Sequence, residues 1–389
     1  MDAVQAPIIP VIGEIIRRTP GTISLGQGMV HYGPPLAALD AARAAMDDPA
    51  THQYQADAGL PALIDRIGAK LGRENGIDVA RGRRVMVTAG SNMAFMHAVL
   101  AVTEPGDEIV LPVPFYFNHE MAIEMAGCRV VRVPTDEAYQ LRLDAIRAAV
   151  TDRTRAIVTV SPNNPTGAVF SERSLREVNA LCGERGLYHL ADEVYEYFTY
   201  GTARHVSAGS LAGAAPHTIS LYSLSKAYGF AGWRIGYVVY PEHLEEAMLK
   251  SQDTIVVCAP IVSQLAACAA LDVGRAHCEP YVRDLAEIRR LVVGQLSALA
   301  PLADVPAADG AFYCLLHVHT RLDPMALCER LIREHRVAVI PGAAFGMTDG
   351  CYFRVAYGAL QSETVAEGVG RLVNGLRVEL GDGGIRQDA

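Results

Sequence analysis

Short apolar runs alternate with amphipathic stretches through this 389-residue chain, and this alternation constrains its fold more than any other feature. Seven runs are typical of buried strands: Val85–Thr88, Glu108–Leu111, Arg129–Val133, Ala156–Val160, Tyr188–Ala191, Thr218–Tyr222 and Ile235–Val239. Helical patterns occupy several of the gaps between them: Asn92–Thr103, Phe117–Ala126, Leu141–Ala149 and Ser171–Arg185. Apolar strands joined by helices predict an α/β protein with a mostly parallel seven-stranded sheet flanked by helices.

A second group of elements follows the seventh run. Leu285–Leu299 predicts a long amphipathic helix that leads into a smaller α+β domain. The remaining elements of that domain are predicted at Ala311–Val318, Pro324–His335, Val337–Ile340 and Tyr352–Ala356. We expect residues 1–45 to form an N-terminal arm and part of the small domain, 46–283 the large domain and 284–389 the small C-terminal domain. The Gly381–Ala389 tail is expected to fray.

Composition limits the partners of this chain. The formal net charge is −9 and no long basic run occurs, so neither nucleic acid nor a membrane is expected to bind. The eight cysteines show neither Cys-x-x-Cys nor a metal-ligand spacing, and we expect reduced thiols and no metal. The first twenty residues do not resemble a signal peptide and no apolar run could span a bilayer, which predicts a cytoplasmic protein.

A lysine follows the sixth apolar run, in the segment Ser223–Lys226, and Arg234 stands just before the seventh run. A lysine at a buried strand end can be desolvated, which lowers its pKa and frees the amine to form a Schiff base. The plain alternative is a solvated loop lysine. Ser-x-x-Lys also occurs in serine acyl enzymes such as β-lactamases, although this chain contains neither Ser-Asp-Asn nor Lys-Thr-Gly.

Other polar residues also stand at predicted strand ends, where α/β sheets bind their ligands. The Gly90–Asn92 turn opens a helix and suits a phosphate, unless its serine is a simple N-cap. Asn164 lies in a turn rich in Asn, Pro and Gly, and Asp192 ends an apolar strand, where a carboxylate needs a proton or a cation. Arg354 interrupts a late apolar strand, which indicates either an anion partner or an edge strand that faces water.

Four motifs follow one another in the chain: Asn-Pro-Thr-Gly at 164–167, Asp-x-x-Tyr at 192–195, Ser-x-Ser-Lys at 223–226 and Gly-Trp-Arg-Ile-Gly at 232–236. In this order and spacing they resemble the class I/II aminotransferases of the aspartate aminotransferase superfamily, which are fold-type I pyridoxal-phosphate enzymes. The resemblance extends over residues 25–356. It implies pyridoxal 5′-phosphate as cofactor, bound in the large domain, and a homodimer with shared sites.

The resemblance also implies roles for individual residues. Lys226 matches the Schiff-base lysine that later moves the substrate proton, and Asp192 matches the carboxylate that pairs with the pyridine nitrogen. Asn164 and Tyr195 match the pair that hydrogen-bonds the ring 3′-oxygen. The phosphate cup is implied at Gly90, Ser91, Asn92, Ser223 and Arg234, and Ser225 is a further predicted cofactor-binding residue.

Two tyrosines complete the implied cofactor site. Tyr116 matches the aromatic residue that stacks on the ring, with ordinary core packing as its alternative. Tyr54 lies in a segment that resembles the one reaching the phosphate of the neighbouring subunit. The implied site therefore draws on two copies of the chain.

The substrate residues implied by the resemblance are Arg354, which clamps the α-carboxylate, with Gly28 and Asn164 beside it. His31 and Tyr32 are candidate residues of the side-chain pocket. Family members that prefer dicarboxylic substrates carry a second cation, but this chain has Asn92 at one such position and Pro260-Ile261 near the other. We therefore expect a neutral pocket and weak activity with aspartate.

The predicted reaction moves an amino group between an L-amino acid with a neutral or non-acidic side chain and a 2-oxo acid. A lyase, a decarboxylase or a cyclising enzyme of secondary metabolism would use the same lysine and cofactor, and these remain alternatives. A non-catalytic regulatory module of the same fold is expected to lack the lysine, which this chain retains.

Overall fold

The computed structural model describes residues 4–381, so Met1–Ala3 and most of the predicted frayed tail lie outside the described residues. The strands are Ile23–Ser24 (β1), Arg83–Thr88 (β2), Glu108–Val113 (β3), Arg129–Pro134 (β4), Thr154–Val160 (β5), Tyr188–Asp192 (β6), Thr218–Ser223 (β7), Gly236–Pro241 (β8), Ala303–Asp304 (β9), Tyr313–Val318 (β10), Val337–Ala338 (β11), Ile340–Pro341 (β12) and Cys351–Ala356 (β13).

The α-helices connect and cover these strands. They are Ile8–Arg17 (α1), Leu36–Ala45 (α2), Pro61–Lys70 (α3), Ser91–Val102 (α4), Phe117–Met125 (α5), Leu143–Ala149 (α6), Glu172–Arg185 (α7), Leu224–Ala227 (α8), Glu245–Val256 (α9), Ile261–Val273 (α10), Glu279–Ser297 (α11), Pro324–His335 (α12) and Ser362–Leu380 (α13). Among the described residues, no helix has the length and apolar content that crossing a bilayer requires.

Seven strands form the large sheet in the order β2-β8-β7-β6-β5-β3-β4. Strand β8 runs antiparallel to both of its neighbours, and the other neighbouring pairs are parallel. Each strand matches a predicted apolar run to within two residues at either end. The mostly parallel sheet with flanking helices is therefore confirmed.

The large sheet is buried on both faces because alternate residues of each strand point to opposite sides. Ile109 and Leu111 of β3 pack with α4, α5 and α9 on one face, while Val110 packs with α6 and α7 on the other. In β5, Val158 likewise packs on the first face and Ile157 on the second. This double burial explains why the strands have continuously apolar sequences rather than alternating ones.

Two smaller sheets stand beside the large one. The first is antiparallel, in the order β12-β13-β10-β9, and the second pairs β1 with β11 in parallel. The prediction of one strand over Val337–Ile340 was wrong, because Val339 separates two short strands that belong to different sheets. The predicted Leu285–Leu299 helix begins earlier, at Glu279, where Pro280 occupies a position in the first turn that tolerates proline. The three-part division at 45 and 283 stays a prediction.

The turn that carries Asn164 packs directly against the small sheet. Gly167 ends this turn with φ of +75°, and its carbonyl oxygen accepts the N–H of Gly310 at 2.7 Å. A Cβ on Gly167 would lie 2.5 Å from the Tyr313 carbonyl oxygen and 2.8 Å from the Cβ of Ala308. Glycine is therefore required here both for its backbone conformation and for the space it leaves.

This packing gives a stability prediction. Gly167→Ala should lower the free energy of unfolding by about 3 kcal/mol or more, since a left-handed alanine and a backbone overlap each add a penalty. Gly186→Ala is the matched control, because Gly186 ends α7 with φ of +65° and nothing lies within 4 Å of a Cβ placed there. It should lose only about 1 kcal/mol. Equal shifts of the two variants in chemical denaturation would contradict the packing argument.

Candidate active site

Several turns that follow strands of the large sheet meet at one edge, because all its strands except β8 run in the same direction. The residues at this edge are Gly90 after β2, Tyr116 after β3, Asn164 after β5, Asp192 at the end of β6 and Ser223 at the end of β7. Arg234 joins them because β8 runs the other way and begins here. The direction of the strands thus gathers polar residues that are far apart in the sequence.

Lys226 lies in α8, a single helical turn that starts directly after β7. The Ser223 hydroxyl accepts the Ser225 N–H at 3.1 Å and so caps the start of this turn. The amine of Lys226 donates to the carbonyl oxygen of Gly28, and the Tyr32 hydroxyl donates to the Lys226 carbonyl at 3.0 Å. The lysine is therefore held at its side chain and at its backbone by the N-terminal segment.

The electrostatic surroundings of Lys226 favour its neutral form. Burial is the largest effect, followed by the positive charges of Arg354 and Arg234, and together they lower the pKa of Lys226 to about 8. The carboxylate of Asp192 acts in the opposite direction. An amine with this pKa is partly neutral at physiological pH and can act as a nucleophile or a base.

The chain contains three lysines. Lys70 is buried against Glu196, and Lys250 forms an exposed pair with Glu246 on the surface of α9. Lys226 makes no salt bridge to any residue in the described part of the chain. It is therefore the lysine whose amine is available for chemistry, and the solvated-loop alternative does not describe its surroundings.

Asp192 is 4% exposed, and its carboxylate contacts a histidine that the sequence analysis did not single out. Its Oδ2 lies 3.0 Å from Nε2 of His119, and its Oδ1 accepts the Val194 N–H at 3.2 Å. The His119 ring stacks on Phe95 with 4.0 Å between centroids, and its Nδ1 has no partner among residues 4–381. The carboxylate is thus fixed in a dry setting where it favours a cationic partner.

A chain of hydrogen bonds links Arg354 to two tyrosines. Its Nη1 donates to Asn164 Oδ1 at 2.9 Å, and Asn164 Nδ2 donates to the Tyr195 hydroxyl at 3.4 Å. The hydroxyl oxygens of Tyr195 and Tyr313 are 2.8 Å apart. All four side chains are buried, so breaking one link would leave a polar group unsatisfied at about 1–3 kcal/mol. The network therefore holds these groups in one arrangement.

Arg354 is only 2% exposed and lies on β13, an interior strand between β12 and β10. The alternative of a water-facing edge strand was therefore wrong. Its Nη2 donates to the Gly26 carbonyl at 2.7 Å, and its guanidinium lies 4.8 Å and 4.9 Å from the ring centroids of Tyr313 and Phe345. Burial lowers the pKa of Arg354, and its Nε has no partner within the described residues. A buried guanidinium with an unused donor suits a carboxylate ligand.

Arg234 and the start of α4 form a second anion-binding arrangement. Arg234 has a left-handed backbone with φ of 51°, and its Nη1 donates to the Ala231 carbonyl at 2.8 Å. Gly90 precedes α4 with φ of +82°, and a Cβ there would overlap the guanidinium of Arg234. The alternative of Ser91 as N-cap was wrong, because Ser91 is the first helical residue and no side chain caps this helix. Its first N–H groups are therefore available to an anion.

Ser223 lies close to this arrangement. It is the register partner of Gly236 across β7 and β8, and a Cβ on Gly236 would lie 2.9 Å from the Ser91 nitrogen. Ser225 is buried one residue before Lys226. Ser223 therefore lies near the start of α4.

Tyr116 lies beside the Asp192–His119 pair. Its ring packs edge-on against His119 with 5.3 Å between centroids, and its hydroxyl accepts Asn118 Nδ2 at 2.8 Å. Burial raises the pKa of Tyr116, while a hydrogen bond from Asn92 acts in the opposite direction. The ring therefore borders the site and is not merely part of the core.

Three further predicted residues differ in their relation to this cluster. Tyr54 is 84% exposed. Tyr32 stacks on Tyr281 with 3.9 Å between centroids, and its hydroxyl is occupied by the Lys226 carbonyl. His31 packs edge-on against Tyr32. Tyr32 therefore supports the lysine rather than offering its hydroxyl to a substrate.

The donor set fits pyridoxal 5′-phosphate, which combines an aldehyde, a pyridine nitrogen and a phosphate. Lys226 presents an amine of lowered pKa, and Asp192 a buried carboxylate. The guanidinium of Arg234 lies so close to Gly90 that the side chain of any larger residue at position 90 would fill the anion-binding space between them. One residue or pair is available for each chemical group of the cofactor.

Sequence reasoning missed His119 and Tyr313. His119 stands three residues after Tyr116, in the first turn of a helix that follows a strand, and that position was the one available signal. Tyr313 begins β10, and nothing in its local pattern distinguishes it from a core tyrosine. Both act through contacts that only the folded chain creates.

The chain is similar to known aminotransferases over nearly its full length. Residues 20–372 match the family description "Aminotransferase class I and II". The sequence is 33% identical to the aspartate aminotransferase of Pyrococcus abyssi over 97% of each chain, and 32% identical to the aromatic-amino-acid aminotransferase 2 of Thermococcus litoralis over 96% of each. The structure of an aromatic aminotransferase from Pyrococcus horikoshii OT3 matches with a TM-score of 0.87 and 33% identity, over 95% of this chain and 99% of that one.

The lowered pKa of Lys226 predicts how its reactivity depends on pH. In cofactor-free protein, the labelling rate of Lys226 by an amine-selective reagent should rise from pH 7 to 9 with a midpoint at about pH 8. Arg354→Leu should move the midpoint to higher pH, because the positive charge of Arg354 lowers this pKa. Peptide mass spectrometry measures the rate, and the exposed Lys250 serves as internal reference. A wild-type midpoint near 10.5, the ordinary value, would show that burial and the two arginines do not lower the pKa of Lys226.

Proposed function

This chain belongs to the class I and II aminotransferases, and on that premise we propose that it uses pyridoxal 5′-phosphate to move an amino group from an L-amino acid with a non-acidic side chain to a 2-oxo acid. The observation that carries the proposal is the Lys226 amine, whose pKa is lowered to about 8 by burial and two arginines. Those arginines, Arg354 and Arg234, supply one cation for a substrate carboxylate and one for a phosphate.

When bound, the cofactor supplies an electron sink for the electrons of the substrate Cα. Asp192 would hold a proton on the pyridine nitrogen, since a buried carboxylate stabilises an adjacent positive charge. The 3.0 Å contact from His119 keeps that carboxylate in place. Asn164 and Tyr195 lie 3.4 Å apart, and both present hydrogen-bond donors suited to the ring 3′-oxygen.

Lys226 is the proposed base. Its amine removes the proton from the substrate Cα, and an amine with a pKa of about 8 both accepts and releases a proton readily near neutral pH. The hydrogen bond from Tyr32 to the Lys226 carbonyl fixes the backbone from which this amine extends. The two arginines keep the amine neutral for a larger fraction of the time than water would.

Arg354 is the proposed partner of the α-carboxylate, which the amino acid and the 2-oxo acid share. Its guanidinium is fixed by Asn164 and by the rings of Tyr313 and Phe345, so little conformational freedom is lost when a carboxylate binds. Its unused Nε is available as a further donor. The Gly28 backbone, which already contacts Lys226, borders the same space.

The side-chain specificity follows from the charges near the site. We propose that the substrate side chain lies in a cleft of about 610 Å³ between Met29, Trp233 and Pro260. Tyr32, whose hydroxyl donates to the Lys226 carbonyl, also lines this cleft, and Arg234 is the one charged residue among the described residues that line it. We assign that arginine to the phosphate. The distal carboxylate of aspartate would therefore be buried in this cleft without a cation to pair with. An apolar or aromatic side chain carries no charge and has no such cost.

Amino-group transfer is favoured over the alternative lyase, decarboxylase and cyclising reactions, since the matched relatives are named aminotransferases. We extend the proposal to a homodimer, for which the 84% exposure of Tyr54 leaves that ring available to a neighbouring subunit. A cytoplasmic location fits the eight cysteines, which are all free thiols.

A donor panel tests both the reaction and its specificity. With pyruvate as acceptor, which carries no distal carboxylate, kcat/KM for L-phenylalanine, L-tyrosine and L-leucine should exceed that for L-aspartate by at least about tenfold, the effect of one unmet charge. Asn92→Lys should raise kcat/KM for aspartate by supplying a cation. Asn92→Met is the matched control, of similar length but neutral, and should leave the ratio unchanged.

Two outcomes would contradict the proposal. Preference of the wild-type protein for aspartate would refute the neutral pocket. Absence of amino transfer from every donor, in protein that retains the cofactor, would refute the reaction itself.

A further inference from the structure

Two histidines and an aspartate meet on the small sheet, away from the proposed active site. His317 lies on β10 and is the register partner of Asp304 on β9. His319 follows two residues later, so its side chain emerges on the same face. One ligand atom from each of the three residues lies within 4.8 Å of the others. Imidazole and carboxylate groups at this spacing are a donor set for a divalent cation.

The hydrogen bonds of His319 require a positive charge at its second ring nitrogen, supplied either by a proton or by a metal ion. Its Nδ1 lies 2.8 Å from the carbonyl oxygen of Pro301, which can only accept, so Nδ1 carries a hydrogen. In the neutral ring Nε2 then presents a lone pair, and this atom lies 2.7 Å from Oδ2 of Asp304. Two electron-rich atoms at this distance need a proton or a metal ion to hold them together. Donation from the second ring nitrogen to a carbonyl is the usual orientation of a metal-bound histidine.

His317 can supply the third ligand after only a small movement of the side chains. Its ring stacks on Tyr352 with 4.3 Å between centroids, and its Nδ1 lies 4.0 Å from Oδ2 of Asp304. Ligands bound tetrahedrally at about 2.0–2.2 Å are separated by roughly 3.3 Å. The observed 2.7 Å and 4.0 Å spacings bracket that value, and the side chains of Asp304 and His319 are exposed enough to adjust.

The local charge also favours a cation. The cluster borders a cleft of about 1060 Å³ that is lined by four carboxylates and one arginine: Asp136, Glu137, Asp304, Asp349 and Arg132. Negative charge in excess attracts a divalent ion to this surface. The cleft also gives solvent or a small ligand access to a remaining coordination position.

We propose that Asp304, His317 and His319 bind one borderline divalent ion, such as Zn²⁺, through two imidazoles and a carboxylate. The ion ties β9, which is only two residues long, to the end of β10. Tyr313, at the other end of β10, lies four residues from His317, which is roughly 13 Å along an extended strand. The proposed role is therefore structural and independent of the chemistry at Lys226. It replaces the expectation of no metal, which rested on the spacing of the cysteines.

A second group of similar residues serves as a control. Glu334, His335 and Glu379 also lie within ligand distance of one another. There, however, Nη1 of Arg330 lies 3.1 Å from Oε2 of Glu379 and already neutralises part of the negative charge. We expect no stoichiometric metal at that group.

Equilibrium dialysis of tag-free holoprotein against ZnCl₂, with metal analysis, tests the proposal. The wild-type chain should retain one zinc per chain. His317→Phe, which keeps the ring stacked on Tyr352, and His319→Gln should each weaken binding by at least about tenfold. His335→Gln should bind as the wild type does. Unchanged aminotransferase activity of the variants would establish that they are folded.

Copper substitution identifies the ligands directly. Electron paramagnetic resonance of the Cu²⁺ form should show coupling to two imidazole nitrogens in the wild type and to one in either single variant. Retention of no zinc by the wild-type protein would overturn the proposal. Undiminished binding by the double variant His317→Phe/His319→Gln would overturn it as well, since the ion would then lie elsewhere.

Discussion

The removal of the Lys226 amine from water is the interaction on which the rest of the site depends. Burial and two nearby guanidinium groups lower the pKa of this lysine to about 8, and no carboxylate in the described chain forms a salt bridge with it. Desolvating a charged group is expensive, so the surrounding structure must hold the amine firmly in place. The Gly28 carbonyl and the Tyr32 hydroxyl do so from the N-terminal segment.

The two parts of the fold contribute different groups to this setting. The large sheet supplies Asp192 and Arg234 from the ends of its strands, because its strand directions bring those ends together. The small sheet supplies Arg354 and Tyr313 from interior strands, where packing fixes their orientation. The hydrogen bond from Arg354 to Asn164 joins the two. Packing of the small sheet against the edge of the large sheet therefore brings these groups together, and the crowded turn at 164–167 lies at that contact.

The large sheet was predictable because continuous apolar runs and turn residues can be recognised in the local sequence, without knowledge of tertiary contacts. The positions of Lys226, Asp192 and Asn164 at strand ends followed from the same signals. The pairing of His119 with Asp192 did not, because the position of His119 after a strand does not identify its partner. The pairing of Tyr313 with Tyr195 did not either, because these residues are 118 apart in the sequence. The division of residues 337–341 between two sheets could not be predicted from the sequence either, because β11 and β12 have only two residues each.

The central claim is that Lys226 is the residue that joins the cofactor covalently. Borohydride reduction of the holoprotein, followed by proteolysis and mass spectrometry, fixes the cofactor to whichever amine holds it. The chain contains three lysines, so the labelled peptide identifies which of them holds the cofactor. We expect the added mass on the peptide that contains Lys226. Added mass on Lys70 or Lys250, or on no lysine of a protein that binds the cofactor, would contradict it.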